Sequence, residues 1–323
     1  MSEFDLINQF FKATTRKRDD VLLGIGDDCA ILSPPPGKQL AVSTDTLISG
    51  VHFPESTPAE EIGYKSLAVN LSDLAAMGAE PAWVSLAISL PEADENWLGN
   101  FMRGFNQLAE KYNVALIGGD TTQGSLSVTV NVTGFIDVDK ALKRSHAKTG
   151  DSIFVTGNIG DAAIGLKAIL NKLEANRNIS EHDKLYCINR LNRPVPRVEA
   201  GQLLSDFSVA AIDISDGLMA DLNHICEASG VGALLNLQQV PLSQAVLNYY
   251  DNIPDWQNIL NAGDDYELCF TCAQNQLSEL QKLMDIHKVN IFCIGKITHD
   301  PGIKCFNNGQ LISYNQSGYN HFK

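Results

Sequence analysis

No apolar run in the 323-residue chain approaches the length needed to cross a bilayer. The start, Met1-Ser2-Glu3-Phe4-Asp5, lacks the basic stretch and apolar core of a secretory signal, so a cytoplasmic protein without a membrane partner is expected. Positive charge is scarce: 24 Lys and Arg face 38 Asp and Glu, and the net charge of -14 disfavours a nucleic-acid partner, whose phosphates attract basic surfaces. There is no Gly-x-x-x-x-Gly-Lys-Ser/Thr and no full dinucleotide fingerprint, which excludes a Walker-type nucleotide site by motif. None of the seven histidines falls at a zinc spacing with the cysteines. Seven cysteines, an odd number spread through apolar segments (Cys226, Cys269, Cys293), read as reduced core thiols rather than a disulfide framework. Cys269-Phe270-Thr271-Cys272 has a redox spacing, but it lies in a strand pattern, where residues three apart point to opposite faces. What remains is a globular protein with an expected two domains.

What the chain does have is a recurring junction. Val114 to Leu116, then Ile117-Gly118-Gly119-Asp120-Thr121-Thr122, reads as an apolar strand ending in two glycines, a carboxylate and two hydroxyls. Such a stretch lets the backbone approach a ligand and sets hard oxygen atoms beside it. Alone it is ordinary turn vocabulary. The same chemistry abuts apolar runs at Gly24 to Asp28, at Ser43-Thr44-Asp45-Thr46, at Asp213-Ile214-Ser215-Asp216-Gly217 and at Gly263-Asp264-Asp265. Carboxylates brought within ~4 Å repel by about 4 kcal/mol per pair at an effective dielectric near 20, so their convergence requires cations. Bound divalent metal is expected.

Along the chain, residues 3 to 12 read as an amphipathic helix, and Arg16-Lys17-Arg18-Asp19-Asp20 as a solvated loop. Thr57-Pro58-Ala59-Glu60 has the form of a helix start, with Thr57 as cap, Pro58 at the first helical position and Glu60 three residues after the cap; the helix runs to Gly78. Ser66, Asn70 and Asp73 form one polar stripe on it, and a carboxylate among apolar neighbours needs a partner or a metal. Residues 84–90 and 126–136 alternate apolar and small polar side chains, and the faces of a sheet so built could pair with a second copy. Helical spacing recurs from Trp97 to Tyr112 behind a cap at Asp94. The apolar pattern breaks at Asp137 to Gly150, giving expected domains 1–138 and 150–323 with 139–149 as linker; Arg144 there could clamp a polyphosphate. Strand 153–156, the turn Gly157-Asn158-Ile159-Gly160 and a helix from Asp161 to Glu174 form a candidate phosphate nest. The remaining strands and helices make the chain α/β or α+β.

Ile25-Gly26-Asp27-Asp28-Cys29-Ala30, Ser43-Thr44-Asp45-Thr46-Leu47, Asn70 to Gly78, Gly118 to Thr122, Asp213 to Leu218 and the terminal Gly318-Tyr319-Asn320-His321-Phe322 together resemble the thiamine-monophosphate kinases, in order and over nearly the whole chain. The resemblance implies a two-domain, aminoimidazole-ribonucleotide-synthetase-like (PurM-like) α/β fold. Its N-terminal mixed sheet would form a homodimer, its C-terminal domain would be α/β, and ATP with several Mg2+ ions would bind between the domains. Carried over, Asp28, Ser43, Thr44, Asp45, Asp73, Asp120, Asp213 and Asp216 would serve the metals. Gly119, Asp120, Arg144 and Ser215 would touch ATP, and His52, Asp264 and Tyr319 would face thiamine monophosphate. Asp45, Asp73, Asp120 and Arg144 carry the catalytic expectation. The family usually reads Gly-Gly-Glu-Asp-Tyr-Glu where this chain has Ala262-Gly263-Asp264-Asp265-Tyr266-Glu267, so the Asp264 carboxylate is one methylene shorter. Two other readings stand beside this one: another ATP-using synthetase of the same superfamily, closing a purine-pathway ring, and a non-enzymatic divalent-cation binder.

Overall fold

Val128, Val130 and Val132 are fully buried, whereas Thr129, Asn131 and Thr133 between them are half-buried. That alternation makes β6 (Ser127–Asp137) an inner strand of a four-stranded sheet with β3 (Lys38–Ile48), β4 (Glu80–Leu90) and β5 (Ala115–Gln123). The order is β3-β6-β4-β5, antiparallel except for the parallel β4–β5 pair. The computed structural model describes residues 3–207 and 209–314; Tyr319 lies outside them. Two compact units separate, one from the N-terminus to Leu74 with Ala79–Asp139, the other Ala75–Gly78 with the chain from Lys140.

In the first unit β1 (Val21–Leu23) and β2 (Ile31–Leu32) form a small ribbon. Helices α2 (Ala59–Ala76) and α3 (Glu95–Lys111) supply buried Leu67, Leu71, Leu74, Phe101 and Phe105, each side chain stabilising by roughly 1.5–3 kcal/mol relative to exposure. Asp94 caps α3 as expected, accepting from the Asn96 and Trp97 amides. Thr57 does not cap α2. Pro58 occupies the cap position, its carbonyl accepting from Ile62 at 3.1 Å, and the buried Thr57 hydroxyl has no partner among the described residues. The helix begins one residue later than its sequence suggests, which moves Thr57 out of reach of the first free amides. The N-terminal helix α1 (Glu3–Leu6) continues as a π-helical turn, Ile7–Lys12, whose wider winding lets the consecutive Phe10 and Phe11 both be buried. Nor is the Arg16 to Asp20 segment simply a solvated loop. Arg18 and Asp20 pair at 2.6 Å, and Asp20 accepts the Trp83 indole N–H at 2.9 Å. The Arg18 hydrogen bond first, and then that of Trp83, hold the Asp20 carboxyl below the usual range against its partial burial.

The second unit is built on a seven-stranded sheet. Its strands are β7 (Ser152–Val155), β8 (Ala211–Asp213), β9 (Gly232–Asn236), β10 (Leu268–Cys272), β11 (Phe292–Thr298), β12 (Gly302–Asn307) and β13 (Gln310–Ile312), in the order β13-β12-β9-β11-β7-β10-β8. Around it run α4 (Asp161–Ile169), α5 (Glu181–Asn192), α6 (Val198–Leu204), α7 (Leu218–Ser229), α8 (Gln244–Tyr249), α9 (Trp256–Asn261) and α10 (Leu277–Ile286). β10 is buried at all five residues, so Cys269 and Cys272 are both inside although they face opposite ways. Cys293 is exposed, beside an irregularity in β11, and is not a core thiol. No helix among the described residues is long and apolar enough to cross a membrane.

Gly104 tests the packing of α2 on α3, because a Cβ there would stand 1.8 Å from the Glu60 carbonyl oxygen. Gly104→Ala is expected to destabilise the protein by about 1–3 kcal/mol. Urea unfolding measures it; an unchanged midpoint contradicts the packing.

Candidate active site

Asp45 lies on β3 and Asp73 on α2, and the fold turns both inward on the same side of the first sheet. Asp45 shares its row of the sheet with buried Val130 and Leu86, and on α2 the Ser66, Asn70, Asp73 stripe faces that strand. The Asn70 side-chain oxygen accepts the Asp45 amide at 3.2 Å, its nitrogen donates to the Ser66 carbonyl at 2.9 Å, and the Ser43 hydroxyl donates to Asp73 at 2.5 Å. Burial first, and the charge of Asp73 second, push the Asp45 carboxyl up to about 6. The group is therefore ionised at neutral pH only against opposition, the condition a divalent cation relieves. Thr44 points to the other face, where its hydroxyl accepts from the Asn131 amide at 2.6 Å. Strand alternation keeps its side chain apart from Ser43 and Asp45.

The Gly118-Gly119-Asp120 stretch is not a strand end. β5 continues through it to Gln123, paired with β4, and Gly119 sits against Leu86 so closely that a Cβ would fall 1.8 Å from the Leu86 carbonyl oxygen. Its φ of 154° lies at the margin of what a side chain tolerates, so glycine is needed there for approach. Asp120 is exposed, in the row of Ala87 and Thr129, three strand spacings from β3, or roughly 14 Å. It lines a cavity of about 520 Å³ with Asp28 and Asp27, whose carboxylate accepts the Asp28 amide at 2.9 Å. Among the described residues no three His, Cys, Asp or Glu stand close enough to form a ready-made metal cage. The carboxylates come in small sets instead. Magnesium sites are commonly built that way, with one or two carboxylates and the remaining positions left to substrate phosphate and water.

His52 sits in the loop after β3. Its Nδ1 accepts the Ile48 amide at 2.9 Å, which leaves Nε2 as the proton-bearing nitrogen of the neutral ring.

In the second unit the loop after β8 and the loop before β10 are stitched together. The Tyr266 amide donates to the Ile214 carbonyl at 2.8 Å and the Asp264 amide to that of Ser215 at 2.9 Å, so Asp264 comes beside Ser215 and Asp216, with Asp264 in a left-handed conformation (φ 69°). Sequence reading missed Asp221, which is buried and accepts the Asp216 and Gly217 amides, each at 3.0 Å. Burial, and then the charges of Asp213 and Asp216, raise it to about 8. Its place four residues after Gly217, in the first turn of α7, was the available signal.

Also missed was a buried network behind this loop. Glu267 receives Arg197 through two nitrogens, Arg190 at 2.9 Å and Thr156 at 2.7 Å. The Gly157 to Asp161 turn is not an open phosphate nest, because the Gly160 amide already donates to Asp265 at 2.8 Å. Asp265 is driven well above the usual carboxylate range by burial, despite that bond. Arg144 lies apart from these acids within its unit. It is exposed, its carbonyl accepts the Ser229 hydroxyl at 2.8 Å, and Ser229 closes the far end of the 12-residue α7, about 18 Å from Gly217.

The chain matches the AIR synthase related protein family, its N-terminal domain over residues 26–136 and its C-terminal domain over 148–306. A thiamine-monophosphate kinase from Salmonella typhimurium is 46% identical over 322 residues, covering 99% of this chain and 98% of the relative. The chain belongs to the thiamine-monophosphate kinase family. The kinase of Stenotrophomonas maltophilia has a crystal structure that superposes with a TM-score of 0.85 at 46% identity, over 96% of this chain and 98% of that one. A further relative, described as AaThiL complexed with AMPPCP and TMP, gives a TM-score of 0.78 at 29% identity, covering 99% and 97%. The chain is thus a kinase of two-domain AIR-synthase-like fold.

The Asp45 carboxyl supports the fold fully only below its unfolded value near 3.8, and that support is lost as pH rises through about 6. Asp45→Asn is therefore expected to stabilise the cation-free protein at pH 7.5, by about 1–3 kcal/mol in urea unfolding, and the gain should vanish at pH 3.8. A gain that grows on acidification contradicts the assignment.

Proposed function

We propose that this kinase transfers the terminal phosphoryl group of ATP to thiamine monophosphate, giving thiamine diphosphate. The observation that carries the chemistry is the crowding of Asp45 against Asp73, an arrangement of hard oxygen donors that suits a small divalent cation. The acceptor is drawn from the end-to-end likeness to thiamine-monophosphate kinases and from the relative bound to AMPPCP and TMP.

The residues fit magnesium. Asp45, Asp73 and Ser43 would hold it in one set, Asp28 and Asp120 in another, and Asp213 and Asp216 in a third, while Thr44, whose side chain faces away from Asp45, is assigned to the metals by the family likeness alone. When bound, magnesium neutralises phosphate charge and the charge that spreads over the transferring group. The protein's own part is positional. Gly119 lets the strand backbone come close to the nucleotide, Ser215 is assigned to its phosphates and Arg144, at the far end of α7, to another part of the nucleotide, and His52, through Nε2–H, and Asp264 are assigned to the acceptor. Tyr319 keeps the same assignment. The acceptor phosphate is already ionised near neutral pH, so no general base is required and transfer is direct and in line.

We also assign the open face of the first sheet to a second copy of the chain in a homodimer. Edge strand β3 exposes Leu40, Val42 and Ile48, three large apolar side chains on one face.

The test combines purified protein, ATP, magnesium and thiamine monophosphate and scores thiamine diphosphate. Asp120→Asn alters an exposed side chain and should leave stability within about 0.5 kcal/mol, while kcat/KM falls by roughly a hundredfold or more. Unaltered turnover in that variant contradicts the assignment, and turnover through an isolable phosphoprotein contradicts direct transfer.

A further inference from the structure

We infer that Lys12, in the N-terminal π-helical turn, is a nucleotide-phosphate contact and so part of the binding machinery of the first unit. The inference rests on the kinase reading above. The roughly 520 Å³ cavity beside Gly119 and Asp120 is also lined by Asp27 and Asp28, and among the described residues lining it Lys12 is the only basic one. Its ammonium group lies against the loop that carries these acids: Nζ stands 2.7 Å from where a Cβ on Gly26 would be. Gly26, at φ 126°, leaves that space open. Among the described residues Lys12 makes no hydrogen bond or ion pair, although Asp27 and Asp28 line the same cavity.

A lysine on a surface helix is ordinarily a solvated charge. Two features separate this one from that case. The turn bearing it is π-helical, with the Ala13 amide reaching the Asn8 carbonyl at 3.1 Å, a geometry that occurs mostly as short insertions and frequently at functional sites. The turn is also anchored: Phe10 and Phe11 are buried, which fixes the stem of the helix while the lysine stays at the cavity wall. A polyphosphate entering a cavity walled by three carboxylates meets repulsion, and one donor cation opposite them gives its oxygens a charge-assisted partner. The cavity has Gly119 and Asp120 in its wall and does not have His52, which assigns the contact to the nucleotide rather than to the acceptor.

The test uses the full-length enzyme, with Lys12→Met and Lys12→Arg, titrated calorimetrically with a non-hydrolysable ATP analogue in magnesium and, separately, with thiamine monophosphate. Lys12→Met should weaken analogue binding roughly tenfold and flatten its salt dependence, Lys12→Arg should restore most of the affinity, and the acceptor's affinity should be the same in all three proteins. Analogue binding by Lys12→Met at the wild-type affinity and salt slope overturns the inference. So does a loss confined to thiamine monophosphate, which would move Lys12 to the acceptor. Failure of the wild-type enzyme to bind the analogue overturns the kinase reading as well.

Discussion

Like charges held together inside an acidic protein are the constraint on which the rest of this structure depends. A chain with a net charge of -14 brings Asp45 up to Asp73 in one unit and Asp221 up to Asp213 and Asp216 in the other, in surroundings that drive both Asp45 and Asp221 upward. Nothing in the packing requires this: apolar residues of similar volume would fill either place with less opposition. The fold spends considerable structure on keeping the arrangement. Asn70 holds the Asp45 backbone, Ser43 holds Asp73, and Asp221 holds two successive amides of the Asp216 loop.

The scaffold fits that demand. In the first unit the carboxylates come from a strand, from a helix laid across it and from a strand that continues through two glycines, so regular hydrogen bonding fixes each backbone. In the second unit the loop before β10 is clasped to the loop after β8 by backbone bonds, and the Glu267 to Arg190 and Arg197 network lies one residue beyond the Asp264-Asp265-Tyr266 turn. Asp264 and Tyr266 both have positive φ, an uncommon state for residues with side chains, and it persists only where neighbours over-determine it. The arginine clamp on the buried Glu267 and the bond from Gly160 to Asp265 are those neighbours.

Much of this was legible in the sequence because it was periodic or local. The Ser66, Asn70, Asp73 stripe, the Asp94 cap and the alternation of β4 and β6 follow from spacings of three to four and of two, which survive any tertiary arrangement. Other features depend on which strand lies next to which. Gly118-Gly119 reads as a strand end, and only pairing with β4 carries β5 onward. The side taken by Thr44 and the row taken by Asp120 follow from register, and the use of Asp265 as the partner of Gly160 joins residues 105 apart. Arg18 and Asp20 look like solvated loop charges until Trp83, 63 residues on from Asp20, is set against them. A hydrophobic count shows none of this, since each case concerns a polar group whose partner lies far along the chain.

Asp45 and Asp221 hold their protons more tightly than ordinary carboxyl groups until a cation arrives, and proton release tests this most directly. In weakly buffered solution at pH 6.5, adding magnesium to the metal-free protein should release protons, because a cation at Asp45, and one at Asp213 and Asp216 beside Asp221, offsets the burial and removes the like-charge repulsion that together raise Asp45 to about 6 and Asp221 to about 8. The release should shrink as the starting pH rises past 8. Magnesium binding with no proton release at pH 6.5, or with a release that does not depend on pH, contradicts the account.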